Sequence, residues 1–275
     1  MHKERILYVS DLDGTLLRPD ETLSPFTVNA LNELIEEGML FSYATARSIV
    51  TASKVTAGLN VRFPVIVYNG AFILDSHSGE IMLSNYFSAA DVALIRELLT
   101  AAGLSPIIYA HIDGVEKLSF DSKRVSGGSG AFLQSRKDDI RKRVVGDDAA
   151  LYVGEAIQFV CIDTAERLLP VYEALKGRCN CIFHRDIYSG EQWLEMLPLK
   201  ATKANAVRQL KKHLQCTRVV AFGDGMNDIP MFQAADEAYA VANAADELKN
   251  VATEIIGRNT EDAVAGWLRE RIRVV

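Results

Sequence analysis

The sequence has few of the features that mark secreted, membrane-spanning or nucleic-acid-binding proteins. Only four cysteines occur in 275 residues, and Cys179 and Cys181 lack a second cysteine or histidine pair at zinc spacing. No apolar run approaches the roughly 20 residues of a membrane span. The net charge of −6 argues against general nucleic-acid binding, which depends on clustered Lys and Arg. We therefore expect a protein with reduced thiols and no membrane or nucleic-acid partner.

The chain contains enough hydrophobic residues to form a substantial core. Hydrophobic residues make up 49% of the sequence and charged residues 24%, as in soluble globular proteins. A length of 275 residues suits one large or two ordinary domains. The segment Met1 to Arg5 leads directly into a short apolar run, so we expect no secretory leader and a cytoplasmic location.

Two acidic turns, far apart in the chain, are the most informative local pattern. One follows the apolar run Ile6–Val9 and the other follows Val219–Phe222, and both runs read as buried parallel strands. Since ligands bind at the carboxyl ends of strands in open α/β sheets, neighbouring strands would bring the turns into one crevice. Their carboxylates are Asp11, Asp13, Asp224 and Asp228.

Four carboxylates in one crevice require a cation or protons to offset their repulsion. A hard divalent ion with oxygen ligands fits such a site, and Mg²⁺ is therefore the predicted cofactor.

Four short motifs occur in order along the chain, together with a fifth segment. They are Asp11-Leu12-Asp13-Gly14-Thr15, Ala44-Thr45-Ala46-Arg47, the segment up to Lys203, and Gly223-Asp224-Gly225-Met226-Asn227-Asp228, and the fifth segment is Val67-Tyr68-Asn69-Gly70-Ala71. The four motifs resemble those of the haloacid dehalogenase superfamily of phosphohydrolases, and the fifth segment resembles a signature of its Cof-type sugar-phosphatase branch. The resemblance covers essentially the whole chain.

The resemblance implies a Mg²⁺-dependent phosphatase acting through an aspartyl-phosphate. Asp11 would be the nucleophile and Asp13 the general acid and base. Thr45 would donate a hydrogen bond to the phosphoryl oxygens and Lys203 would add positive charge. The implied phosphate-binding and substrate-binding residues are Gly14, Arg47, Asn69 and Asn227, and the implied metal ligands are Asp11, Asp13 through its carbonyl, Asp224 and Asp228.

Some residues also have simpler interpretations. Lys203 taken alone reads as a solvated helix residue, and Lys200 is the other candidate for its role. Asn69-Gly70 favours a type I′ hairpin turn, which could also present Asn69 to the phosphate. Ala46 and Ala204 stand where many relatives have glycine, which weakens the assignment of Arg47 more than that of the catalytic set.

The order of elements predicts an α/β fold, a doubly wound Rossmann-like parallel-sheet core with an inserted smaller α/β cap domain. Residues 1–83 and 188–275 would form the catalytic core, and residues 84–187 the cap that sets substrate specificity. The core helices are expected near Pro25–Gly38, Arg47–Gly58, Lys203–Leu214 and Glu261–Ile272. Ser126–Gly130 favours a flexible cap loop, because it lacks the lysine and spacing of a phosphate-binding P-loop.

The predicted substrate is a small phosphorylated metabolite, with sugar phosphates favoured by the branch resemblance. Two alternatives remain open, a phosphomutase-like phosphotransferase and a phosphometabolite-binding regulator without turnover. The motifs do not indicate the oligomeric state or which phosphate ester is bound.

Overall fold

A computed structural model describes residues 4–186 and 190–272, and these residues fall into two compact units. The first unit contains the described residues up to Ser84 and from Ala201 onward. The second contains those of the intervening segment, Asn85–Lys200. The second unit is thus an insertion in the sequence of the first.

Fourteen strands occur in the described residues. In chain order they are β1 (Ile6–Ser10), β2 (Leu40–Tyr43), β3 (Val65–Val67), β4 (Phe72–Leu74), β5 (Ile81–Ser84), β6 (Ile107–Ile112), β7 (Val115–Asp121), β8 (Lys142–Val145), β9 (Glu155–Ile162), β10 (Cys179–Arg185), β11 (Gln192–Pro198), β12 (Arg218–Gly223), β13 (Glu237–Ala240) and β14 (Glu254–Ile255).

Ten α-helices occur in the same described residues. They are α1 (Pro25–Glu36), α2 (Ile49–Val55), α3 (Ala89–Ala101), α4 (Gly127–Ser135), α5 (Asp148–Leu151), α6 (Ala165–Leu175), α7 (Lys203–His213), α8 (Ile229–Ala234), α9 (Asp246–Lys249) and α10 (Ala263–Ile272). No helix among them is both long enough and apolar enough to cross a membrane.

The first unit is built on a parallel sheet of five strands in the order β14-β13-β12-β1-β2. Its central strands β1 and β12 are largely buried, which explains their apolar sequences. Ser10 lies opposite Phe222 in their register, so both strands end at the same edge. The predicted α/β fold with a parallel-sheet core is confirmed, and β3, β4 and β5 add a small antiparallel sheet.

The helices of this unit begin where capping residues stand in the sequence. Ser24 accepts a hydrogen bond from the Thr27 amide at the start of α1, and Pro25 occupies the first helical position. Thr202 caps α7 in the same way through the Asn205 amide, 3.1 Å from its hydroxyl. This cap fixes Lys203 as the first residue of α7.

The second unit has its own six-stranded sheet, in the order β10-β11-β9-β6-β7-β8. All neighbours are antiparallel except β7 and β8. One face forms an apolar core with α3 and α6, in which Ile95, Leu99, Phe159 and Leu168 are buried. The unit therefore has a core of its own, as expected for an inserted α/β domain.

The predicted return to the core at residue 188 differs from the structure. Residues 187 and 188 lie outside the described residues, but β11 pairs with β9 and β10 in the second sheet. Its alternating Leu194 and Met196 are buried in the apolar core of the second unit. The first unit resumes at Ala201, and at the other boundary Ser84 belongs to it.

Two local predictions also need correction. The glycine-rich run after Ser126 is the start of α4 and not a flexible loop, because the Ser126 hydroxyl caps the Ser129 amide. A Cβ on Gly128 would come within 2.6 Å of Ile162, so this glycine allows α4 to pack on β9. Helix α2 covers only Ile49–Val55, since Ser48 is its N-cap and Arg47 precedes it.

Candidate active site

Three aspartates meet at the carboxyl ends of β1 and β12. Asp11 directly follows β1, and its amide donates to the Phe222 carbonyl of β12 at 2.9 Å. Asp224 and Asp228 lie in the turn that follows β12. Asp11, Asp224 and Asp228 each contribute an oxygen atom, and these atoms all lie within 4.8 Å of one another. The parallel pairing of two strands distant in sequence thus creates a concentrated acidic cluster.

Lys203 lies inside this cluster. Its Nζ is 2.5 Å from Oδ1 of Asp11 and 2.7 Å from Oδ1 of Asp228, and its side chain is only 1% exposed. Burial alone would lower the pKa of Lys203, but the two carboxylates outweigh that effect and raise it above its usual value. Lys200, the other candidate, is exposed and belongs to the second unit.

The carboxylates of the cluster are hard to ionise together. Burial is the main cause that raises the pKa of Asp11 well above its usual value, despite the opposing charge of Lys203. Burial and the neighbouring charge of Asp228 raise the pKa of Asp224 to about 7. Such a cluster gains free energy from a cation that offsets the repulsion.

Asp228 accepts three hydrogen bonds from its surroundings. It is fully buried, and its Oδ2 accepts hydrogen bonds from the amides of Asp224 and Gly225, at 3.1 and 3.0 Å. Its Oδ1 contacts Lys203. Oδ2 of Asp228 therefore stabilises the turn after β12, and Oδ1 binds the ammonium group of Lys203.

The turn after β1 brings a threonine to Asp224. Gly14 has a φ of +74°, and a Cβ there would come within 2.2 Å of Oδ2 of Asp224. The Thr15 hydroxyl donates to Oδ1 of Asp224 at 3.1 Å. Thr15 lies in the first motif but had no predicted role. Its partner is 209 residues away and only the fold reveals it.

Arg47 forms ion pairs with two carboxylates. Its Nε donates to Oδ2 of Asp13 at 2.8 Å and its Nη2 to Oδ1 of Asp13 at 2.5 Å. Nη2 also lies 2.8 Å from Oε2 of Glu21. The guanidinium group of Arg47 thus binds both oxygens of the Asp13 carboxylate. Its contact with Glu21 involves a residue that the motifs did not indicate.

Thr45 follows the end of β2, Asn69 follows the end of β3, and the two residues are in contact. Thr45 is fully buried, and its carbonyl accepts the Asn69 amide at 2.9 Å. Asn69 has a φ of +51°, and its Oδ1 accepts from Nδ2 of Asn227 at 3.2 Å. Nδ2 of Asn69 is buried and has no hydrogen-bond partner among the described residues. A buried donor of this kind is available to a ligand or water oxygen.

The hairpin predicted around Asn69-Gly70 is present, but its turn is longer than a type I′ turn. The strands β3 and β4 are antiparallel, and the loop between Val67 and Phe72 contains four residues. A Cβ on Gly70 would come within 2.3 Å of the Thr202 carbonyl oxygen, next to Lys203. The hairpin therefore packs its glycine against the start of α7.

Comparison with protein families matches residues 8–268 to the model described as haloacid dehalogenase-like hydrolase. The chain belongs to this family. The resemblance read from the motifs is confirmed, including the Cof-type branch, and so is the predicted enzyme class, a phosphatase of this hydrolase family.

Two curated relatives of this hydrolase align over almost their full lengths. One is the 5-amino-6-(5-phospho-D-ribitylamino)uracil phosphatase YitU of Bacillus subtilis, 23% identical over 98% of this chain and 98% of the relative. The other is the HMP-PP phosphatase of Serratia proteamaculans, 24% identical over 96% of this chain and 94% of the relative.

A solved structure shows the same fold over almost the whole chain. It is a haloacid dehalogenase-like hydrolase from Bacteroides thetaiotaomicron, with a TM-score of 0.78 and 25% identity. The match covers 98% of this hydrolase and 100% of that chain.

Proposed function

We propose that this hydrolase is a Mg²⁺-dependent phosphatase of small phosphorylated metabolites, with sugar phosphates as the first substrates to test. The observation that carries the proposal is the buried cluster of Asp11, Asp224 and Asp228 around Lys203, at the carboxyl ends of β1 and β12. In a family of hydrolases, this arrangement combines a carboxylate nucleophile with positive charge for an anionic substrate.

The donor set fits Mg²⁺, which prefers carboxylate and carbonyl oxygens. We assign the ligands as Asp11, the Asp13 carbonyl and Asp224, whose carboxylate Thr15 orients. Asp228 supports them, because its oxygens already accept bonds from two amides and Lys203. When bound, the ion would screen the anionic phosphate from the carboxylates and polarise its oxygens.

The reaction would proceed in two steps. A carboxylate oxygen of Asp11 attacks phosphorus, the bond from phosphorus to the ester oxygen breaks, and Asp13 gives its proton to the leaving alkoxide. Water then attacks the aspartyl-phosphate, and its proton passes to Asp13. The bond between phosphorus and Asp11 breaks, which releases inorganic phosphate and regenerates the carboxylate.

Phosphate oxygens would be bound by donors around this cluster. The orphaned Nδ2 of Asn69 supports such a role, and the bond from Asn227 holds that side chain in place. The Thr45 hydroxyl, the Gly14 amide and the charge of Lys203 complete the proposed set.

Substrate choice would come from the second unit, because every residue of the proposed reaction lies in the first. The names of the relatives broaden the candidates beyond sugar phosphates to a phosphorylated ribitylaminouracil and HMP-PP.

The test is a panel of these phosphate esters with purified protein, scored by inorganic phosphate release with Mg²⁺ and after chelation. We expect release that requires Mg²⁺ and differs strongly between esters. Isomerised sugar phosphate without release would instead indicate a phosphotransferase. Binding without any turnover would indicate a regulator, and either result would contradict the proposal.

A further inference from the structure

Arg47 joins two carboxylates that lie in different loops. Its bidentate contact with Asp13 uses Nε and one hydrogen of Nη2, and the contact with Glu21 uses the other. Three of its five N–H donors are therefore engaged by acidic side chains. A two-point contact fixes both the position and the rotation of a carboxylate, which a single hydrogen bond does not.

Glu21 reaches Arg47 from a backbone conformation that is uncommon for a residue with a side chain. Its φ is +60°, in the left-handed region. The turn around it is closed by the bond from the Glu21 amide to the Arg18 carbonyl and by the bond from the Arg18 amide to the Thr22 carbonyl, both at 2.9 Å. This turn aims the Glu21 carboxylate at the guanidinium. Unusual backbone of this kind persists where the surroundings determine it, and it occurs often at functional sites.

We propose that Glu21 is a positioning residue for the reaction, which acts through Arg47 on Asp13. The inference rests on the proposed function, in which Asp13 exchanges a proton with the leaving group and with water. Glu21 restrains the outer end of the guanidinium, so that its fork stays aligned with Asp13.

This assignment makes a different kinetic prediction from a phosphate-binding Arg47. A group that only orients Asp13 contributes to the transition state and affects kcat, whereas a phosphate ligand contributes to substrate binding and affects KM. Positioning of a proton donor matters most for a poor leaving group such as a sugar alkoxide. It matters less for an aryl phosphate, whose phenolate leaves without full protonation.

The first test compares Glu21→Gln with Glu36→Gln, a matched change at an exposed glutamate of α1. Steady-state rates are measured with Mg²⁺ on a sugar phosphate and an aryl phosphate. We expect Glu21→Gln to lower kcat on the sugar phosphate by about two- to fivefold, the range for an exposed ion pair. KM should stay within about twofold and the aryl phosphate should lose less. Glu21→Ala should show the same pattern, and Glu36→Gln should match the wild type.

The second test asks whether Glu21 works through Arg47. In an Arg47→Ala background, Glu21→Gln should have no further effect on kcat, as expected for coupled residues in a double-mutant cycle. Arg47→Lys should not restore the rate, because an ammonium lacks the two-point fork.

Three results would overturn the assignment of Glu21 in an active enzyme. They are wild-type kcat in Glu21→Gln, additive losses in the double variant, and an Arg47→Ala defect confined to KM. If the wild type itself releases no phosphate with Mg²⁺, the proposed function fails and this assignment fails with it.

Discussion

Replacing Lys203 by methionine should destabilise the first unit strongly. The change keeps a long side chain but leaves Asp11 and Asp228 buried without their shared cation, which lies 2.5 and 2.7 Å away. The ammonium is almost fully buried, so solvent screening does not reduce the effect. Removing one partner of a buried ion pair costs about 3–5 kcal/mol of the free energy of unfolding.

The assay is urea unfolding in the absence of divalent metal. The ring centroids of Trp267 and Phe222 of β12 lie 5.3 Å apart, so the fluorescence of Trp267 reports on the first unit. Trp193 belongs to β11 and is replaced by phenylalanine in all samples to remove its signal. Lys212→Met, an exposed change on the same helix, is the matched control and should stay within about 0.5 kcal/mol of the parent.

Mg²⁺ should then restore part of the lost stability. The variant has the same three carboxylates with no internal cation, so we expect a larger stabilisation by Mg²⁺ than in the parent. If Lys203→Met unfolds within about 0.5 kcal/mol of Lys212→Met, the electrostatic description of the cluster is wrong.

Three further outcomes are expected. Asp11→Asn should reduce phosphate release to background and leave the circular dichroism spectrum unchanged. Turnover at the wild-type rate would contradict the role of Asp11 as nucleophile. Thr15→Val should weaken Mg²⁺ binding by about tenfold in calorimetry because Asp224 loses its orienting hydrogen bond; unchanged affinity would argue against that role. Burial would lower the pKa of His184, but its bond to Glu195 at 3.0 Å outweighs burial and raises it. The pair of His184 and Glu195 should therefore add less than about 1 kcal/mol to the free energy of unfolding, because it is partly exposed. This contribution should be present below pH 6.5 and lost as the pH rises through the raised pKa of His184. His184→Gln should flatten that dependence in urea titrations, and an unchanged slope would count against the pair.

The acidic turns could be predicted because their evidence is local. A short apolar run that ends in a polar glycine turn identifies a buried strand and its carboxyl end in one window of sequence. Helix starts were equally local, since Ser24 and Thr202 cap helices by contacts three residues away. The family motifs then supplied the pairing of β1 with β12, which no local pattern contains.

The parts that could not be predicted depend on contacts between distant side chains. The partners of Arg47, Asp13 and Glu21, could not be predicted because they lie in two loops that meet only in the fold. The sequence of β11 does not show which sheet the strand joins, so the return to the core was placed too early. Ser126 and the glycines after it read as a loop because composition does not reveal the cap or the packing against β9.

The pairing of β1 with β12 affects how the nascent chain folds on the ribosome. Asp11 and Lys203 are 192 residues apart, so at typical synthesis rates about 10–40 s separate their appearance on the ribosome. During that time the edge of β1 that later receives β12 has no partner, while the contiguous second unit can already fold. The first unit is therefore exposed to misassembly until its second segment, from Ala201 onward, has been made, and variants that slow translation across the insertion should aggregate more.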